Sequence, residues 1–197
     1  DAIGKVIAEQ VLRAVTAVDY ALGFVAYELG ENDAPGRLAA LIDRGAVKMS
    51  TLVLLSHVDG KGWLRQTNRG PSVPPIDLSD REHIRVHLDR RYQGLFIGKP
   101  VLGRASGQWS IQLTRPIVDA QDNVSGVIVA SMDPRYFEQF WTGASLQNGY
   151  VIELIGTDGV VRARSENARE TLAAGTERPE LARMAQVQSS GRIDTAA

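Results

Sequence analysis

The 197-residue sequence predicts an α+β fold, one antiparallel sheet of about five strands flanked by helices. Three observations carry that expectation. The chain opens on a long helical stripe, an Asp-Gly hairpin follows, and Leu95 to Asp133 reads as three consecutive strands with no helix between them. Strands joined by short turns pair antiparallel, whereas each parallel pair would need a crossover the length of a helix.

The stripe comes first. Ile7, Val11, Ala14, Val18, Leu22, Val25 and Leu29 follow one another by three or four residues, which keeps them on one helix face for about seven turns. Lys5, Glu9, Arg13, Asp19 and Glu28 fall between them. Such a stripe serves core packing, pairing with a second copy, or both. The helix is expected to stop at Gly30, where Asn32, Asp33, Pro35 and Gly36 supply breakers. A short helix from Gly36 to Ile42 leads into a strand, Thr51 to Val58, then the Asp59-Gly60 turn and a return strand, Gly62 to Thr67. Gly70 to Pro75 reads as a proline-rich loop. The next helix opens on Ser79-Asp80-Arg81-Glu82, the pattern of a capping box, and carries Arg81, His83 and His87.

The central block is LFIGKPVLGRASGQWSIQLTRPIVDAQDNVSGVIVASMD. Gly98, Gly103 and Gly107 and the turn Asp119 to Asn123 cut it into strands. In the middle strand Trp109, Ile111, Leu113, Arg115 and Ile117 alternate with Ser110, Gln112, Thr114 and Pro116. Alternation places Arg115 on the same face as four large apolar residues. A guanidinium there needs a partner, because an uncompensated buried charge costs several kcal/mol, order of magnitude. Either another protein group or a ligand supplies it.

Asp133-Pro134 opens a further helix whose Tyr136, Phe137, Phe140 and Trp141 read as core. A linker from Gly143 to Gly149 follows. Tyr150 to Arg164 then echoes the first hairpin: YVIELIGTDGVVRARS beside LVLLSHVDGKGWLRQT, each an apolar run, Asp-Gly, and a return strand containing Arg. Two copies of one structural unit are implied, the second incomplete, since the chain is polar from Thr176 to Ala197. The expected division is 1–44 for the long helix and its connector, 45–147 for the main unit, and 148–197 for a partial second unit.

Composition removes several functions. A net charge of -1 and a pI near 6.4, with no basic run, argue against a nucleic-acid binder. With no cysteine there is neither a disulfide frame nor a thiolate metal site, a usage compatible with an extracytoplasmic address. No apolar run approaches the roughly 20 residues of a membrane span. The opening DAIGKVIAEQ is already helical in pattern and has no signal-peptide layout, which points to an excised fragment. No phosphate-binding glycine loop and no nucleophile elbow occur, so no cofactor is expected. His83 and His87 stand one helical turn apart, the spacing of two metal ligands, but nothing nearby offers a third, and no metal is expected. Asn123-Val124-Ser125 has the glycosylation pattern in a turn that uses Asn for its own geometry.

Arg81 opens a helix whose free amides and dipole already favour anions, so a cation there calls for an accompanying anion, a ligand or the neighbouring Asp80 and Glu82. With Arg115 and Asp133 it makes a mixed charge set that a small carboxylate would fit.

The order of long helix, Asp-Gly hairpin, SDRE-x-x-R-x-H helix, LFIGKPVLGRASGQWSIQLTRPI and SGVIVASMDPRYFEQFW resembles the extracytoplasmic double-Cache sensors. These are PAS-like domains of bacterial membrane-bound histidine kinases and diguanylate cyclases. The resemblance covers about Val6 to Arg164, and the central block is its specific part. It implies a PAS-like antiparallel sheet, a long helix rising from the membrane, a distal ligand-binding unit and a proximal unit, here partial. It also implies a pocket arginine in the helix after the hairpin, an aromatic on the central strands and an aspartate ending the last strand. Arg81, Trp109 and Asp133 match those places. The family's commonest pattern has an aromatic pair after that arginine, where this chain has His83 and Ile84.

The expected ligand-binding set is Arg81, His83, His87, Trp109, Arg115, Ser131 and Asp133, with no catalytic residue in the fragment. The function expected is small-molecule sensing, of a carboxylate-type ligand, in the periplasmic part of an inner-membrane kinase or cyclase, with a homodimer through the N-terminal helix. A chemoreceptor ectodomain, a small hydrolase or isomerase with a His/Asp/Arg pocket, and a constitutive dimerisation domain are the alternatives. The two arginines discriminate: convergence on one cavity supports sensing, and engagement by internal carboxylates supports a structural role.

Overall fold

The computed structural model describes residues 2–141 and 151–187. Helix α1 (Ala2–Glu31) turns its stripe onto one face of a sheet. Helix α2 (Arg37–Asp43) and a 3-10 turn (Met49–Thr51) connect it to strand β1 (Leu52–Asp59). Strands β2 (Trp63–Thr67) and β3 (Gly70–Asp77) follow, then helix α3 (Glu82–Leu88), and β4 (Phe96–Leu102), β5 (Trp109–Val118) and β6 (Val124–Met132) complete the sheet. Beyond a 3-10 turn (Pro134–Phe137) come the hairpin β7 (Glu153–Ile155) and β8 (Val161–Arg164) and two short helices, α4 (Ala168–Ala173) and α5 (Pro179–Val187).

The main sheet runs in the order β3-β2-β1-β6-β5-β4, and every neighbouring pair is antiparallel. It has six strands, not the five expected, because Gly70–Asp77 is a strand rather than a loop. Pro71, Pro74 and Pro75 obscured it. Proline cannot donate to a ladder, but β3 lies at the sheet edge and pairs only with β2, so missing donors are tolerated there.

Two cores result. On one face Leu22, Val25 and Leu29 of α1 pack against Leu55, Ile111, Leu113, Ile117, Ile128 and Met132. Each such side chain, fully buried, contributes roughly 1.5–3 kcal/mol. The stripe therefore packs on the domain. Ile7 and Val11 stay partly buried as the helix runs past the sheet. On the other face Ile84 of α3 packs against Val58, Leu64, Val127 and Val129.

The two Asp-Gly hairpins form as read. In the first, Asp59 Oδ1 accepts from the N–H groups of Lys61 and Trp63, and Gly62 takes φ 87°; in the second, Gly159 takes φ 84°. The second hairpin makes a two-stranded sheet of its own. Its first expected residue, Tyr150, and the linker Gly143 to Gly149 lie outside the described residues, as does the chain's end from 188 to 197.

The capping box does not form. Helix α3 begins at Glu82 with Arg81 as its N-cap and no side-chain cap, while the Ser79 N–H turns back to Asp77 Oδ1 at 2.8 Å. Asp77, at the end of β3, accepts from both the N–H and the side chain of Ser79, and α3 begins only after Arg81, which the sequence motif alone does not reveal. No helix among the described residues is long and apolar enough to cross a membrane.

Candidate functional site

Strand alternation sets one residue row per face. On the face beneath α3, β1 presents Leu54, Ser56 and Val58, β5 presents Ser110, Gln112 and Thr114, and β6 presents Val127, Val129 and Ser131. Around Ile84 this face is apolar. Toward β5 it is polar, and Ser56, Ser110, Gln112, Thr114 and Ser131 are all buried. Buried polar groups need partners. Gln112 Nε2 donates to Ser110 Oγ at 2.8 Å and to its carbonyl at 3.2 Å, while Ser131 Oγ donates to Gln112 Oε1 at 2.9 Å.

A cleft of about 30 Å³ lies here, lined by Ser56, Arg81, His83, Arg104, Gln112 and Ser131, with room for about one or two waters. His83 is 94% buried from one wall, being 6% exposed. Burial first, then the Arg81 charge, pushes its imidazole down to about 3, so the ring is neutral at physiological pH. No hydrogen bond satisfies that ring among the described residues. Arg81 donates from Nη2 to the Leu102 carbonyl at 3.3 Å and has no ion pair among the described residues. Burial and the adjacent Arg104 both lower its pKa. Arg104, from the β4–β5 loop, clasps Asp80 with both terminal nitrogens, at 2.5 and 2.7 Å, and donates to the Asp77 carbonyl at 2.8 Å. That clasp ties the loop across the mouth of the cleft.

The expected site residues do not all meet. Arg81, His83 and Ser131 line the cleft. His87 is buried beside it with both ring nitrogens used: Nδ1 donates to the Tyr92 carbonyl at 2.8 Å, and Nε2 accepts from Thr114 Oγ1 at 2.9 Å. A carbonyl can only accept, which assigns the Nδ1–H tautomer. Its pKa is lowered by burial, and it packs on Tyr92 and Phe96 as a structural residue. Trp109 and Asp133 line a separate cleft with Leu102 and Arg135. There Asp133 accepts from the Arg135 N–H at 2.9 Å and from its guanidinium at 2.7 Å. Burial opposes ionisation of Asp133, yet these bonds hold its pKa below the usual range.

Arg115 lies on the opposite face of the sheet. Its Nε donates to Asp19 Oδ1 at 2.5 Å and its Nη2 to Asp19 Oδ2 at 3.0 Å, joining β5 to α1. The expected convergence of Arg81 and Arg115 is thereby corrected: residue 115 shares the α1 face with Ile111 and Leu113, and a helix acid 96 residues earlier answers its charge. The His/Asp/Arg constellation that a hydrolase would need is divided among three places. No group of three or more His, Asp or Glu residues that could hold a metal occurs among the described residues.

The sequence matches no protein-family model and no curated protein. Solved structures do match. The extracellular domain of a protein described as a histidine kinase, rpHK1S-Z16, is 25% identical with a TM-score of 0.64, over 81% of this chain and 65% of that one. The ligand-binding domain of the Pseudomonas fluorescens chemoreceptor CtaA, in complex with L-serine, is 18% identical with a TM-score of 0.69, over 96% of this chain and 77% of that one. An extracellular ligand-binding receptor from Desulfohalobium retbaense is 17% identical with a TM-score of 0.65, over 96% of this chain and 34% of that one. The fold is that of a Cache-type sensor domain.

In this Cache-type sheet the cleft falls between α3, the β4–β5 loop and the polar row of the central strands. Of its polar residues, Ser56, Arg104, Ser106 and Gln112 escaped the sequence reading. A signal for Gln112 was present, because a strand whose two rows are Ile-Leu-Ile and Ser-Gln-Thr, with helices predicted on both sides, must bury the polar row as well. Arg104 carried none, since its role depends on a contact with Asp80, 24 residues away.

Proposed function

We propose that this chain is an extracytoplasmic ligand-sensing module of a membrane-anchored signalling protein, a histidine kinase or a chemoreceptor, that binds a small carboxylate in the cleft beneath α3. One observation carries the reading: a buried row of hydroxyl and amide groups faces Arg81, whose guanidinium has no acid partner among the described residues. A carboxylate would take a charge-assisted hydrogen bond from Arg81 and a further one from the Ser56 hydroxyl, while Gln112 is held by Ser110 and Ser131. The neutral His83 offers either a donor or an acceptor. The Cache-type neighbours are extracellular ligand-binding domains, and CtaA is described with L-serine, L-alanine and L-valine.

The cleft favours anions without an amine. No carboxylate lines it among the described residues, Asp80 is clasped by Arg104, and Asp133 is engaged by Arg135 elsewhere. An α-ammonium would have no counter-charge there, so the ligand class is small carboxylates rather than amino acids. Binding requires the Arg104–Asp80 clasp to loosen, since the closed cleft admits only waters. The β4–β5 loop would then report occupancy to the sheet, and through Arg115–Asp19 to α1. In this reading 45–147 is the sensing unit and 148–197 the start of a second, proximal one.

The exposed side of α1 supports pairing with a second copy. Val6, Tyr20, Phe24 and Tyr27 are exposed on the side of the helix away from the stripe that packs on the sheet, with Gln10, Arg13 and Ala17 between them. They extend over roughly 32 Å of helix.

A thermal-shift screen with small mono- and dicarboxylates tests the site. A ligand at 100 times its dissociation constant adds about 2.7 kcal/mol, or roughly 5–10 °C for a chain this size. Arg81→Ala should remove the shift. Absence of stabilisation by every anion, or an Arg81→Ala variant that binds the hit as tightly as wild type, overturns the assignment.

A further inference from the structure

His57 is the buried histidine that the cleft beneath α3 does not use. Strand alternation turns it, with Leu55, to the α1 face of the sheet, where it is 2% exposed. Its ring lies over β6 at Gly126, where a Cβ would stand 3.1 Å from Nε2. On its other side is the connector between α1 and α2. Asp33 Oδ1 comes within 3.2 Å of Nδ1, but the two are poorly aligned, and Nδ1 has no hydrogen-bond partner among the described residues. The connector's own bonds are local: Asn32 N–H to the Glu28 carbonyl at 3.1 Å, Ala34 N–H to Asn32 Oδ1 at 3.1 Å, and Arg37 N–H to the Ala34 carbonyl at 3.0 Å. Asp33 is half-exposed, and with Pro35, Gly36 and Ala39 it lines an open cleft of about 1020 Å³. The connector thus covers the ring without a hydrogen bond to it and has open space behind it.

A neutral imidazole suits that position and an imidazolium does not, because the cover strips the ring of its hydration. The charges acting on it are divided. Asp33 from the connector and Asp59 from β1 favour the cation, and Arg65 from β2 opposes it. β6 contributes the uncharged Gly126, and Glu28 of α1 is bound to Arg37 of α2. Burial outweighs the two acids and lowers the pKa of the ring. We propose that His57 and the connector 32–36 form a proton-operated latch: the connector closes over the neutral ring, and protonation releases it, so that acid loosens the junction of α1 with α2 while the sheet stays folded. Linkage sets the direction. Lifting the connector returns the ring to water, where it takes up a proton near its usual 6.5, so the open form binds a proton that the closed form resists. The latch is on the opposite sheet face from the cleft beneath α3 and works whether or not that cleft binds a carboxylate.

Amide exchange with water in the 197-residue protein, labelled with nitrogen-15 and corrected for the intrinsic rate, follows the latch through the Asn32 and Arg37 amides. Between pH 6.5 and 5.5 their protection should fall by about threefold to tenfold, tenfold being the limit for one proton taken up per opening. The Leu113 amide in the central sheet should stay far better protected, which marks the opening as local. His57→Gln cannot take up the proton and should remove the fall. Asp33→Asn, at a half-exposed position, keeps the ring and removes an acid that favours the cation under the connector, so the fall there should be at least as large as in wild type. Should His57→Gln fail to fold, the Asp33→Asn comparison still decides. Protection that is constant or rises toward acid, a fall that survives His57→Gln, or one that disappears in Asp33→Asn each overturns the proposal.

Discussion

Arg115→Ala separates a structural arginine from a ligand-binding one. The substitution removes two charge-assisted hydrogen bonds to Asp19, at 2.5 and 3.0 Å, that tie β5 to α1. The two side chains are 30% and 24% exposed, so the pair is neither a solvated surface contact nor a sealed one. Surface pairs contribute about 0–1 kcal/mol, and hydrogen bonds to charged groups about 1.5–3. An intermediate loss of about 2 kcal/mol is expected, which lowers the thermal midpoint by roughly 4–8 °C. Asp19→Ala should cost a similar amount, and the double variant less than the sum by about 1–2 kcal/mol, since the second truncation removes a charge already unpaired. Affinity for a carboxylate found in the screen should stay within about twofold, because Arg115 is on the opposite sheet face from the cleft. Calorimetric titration and thermal melts of the four proteins make the comparison. A tenfold loss of affinity with an unmoved midpoint refutes the argument and returns Arg115 to the binding site.

Acid should destabilise the fold. His83 sits near 3 in the folded chain against 6.5 unfolded, and burial lowers His57 and His87 as well. Below pH 6.5 the unfolded chain then binds more protons, so stability falls as pH falls, by up to about 1.4 kcal/mol per pH unit for each such group and roughly 2 kcal/mol between pH 6.5 and 5 for His83 alone. Denaturant titrations across that range check it, and His83→Gln should flatten the slope; an unchanged slope in that variant speaks against the buried neutral histidine. Arg104→Ala should speed association of the carboxylate several-fold with little change in the melting midpoint, measured by stopped-flow fluorescence, and an unaltered rate removes the clasp from the gating step. Tyr20→Glu with Phe24→Glu should shift sedimentation from dimer to monomer without lowering the melting midpoint of the monomer; a monomeric wild type at high concentration ends the pairing role of α1.

Local rules made the elements legible. The stripe from Ile7 to Leu29, the two Asp-Gly turns and the alternation from Trp109 to Ile117 each depend on neighbours a few residues away, so periodicity alone places them. The rest depended on what stands beside what. Whether Gly70–Asp77 pairs is decided by its place at a sheet edge, where the donors that three prolines lack are tolerated. Whether Ser79 caps a helix is decided by Asp77, which engages its side chain as well as its N–H. The sequence established that Arg115 needs a partner, because its row is apolar. Only the tertiary structure chose Asp19 for it and left Arg81 without an acid among the described residues, since charge pairing is settled by through-space distance across elements that the chain order does not reveal.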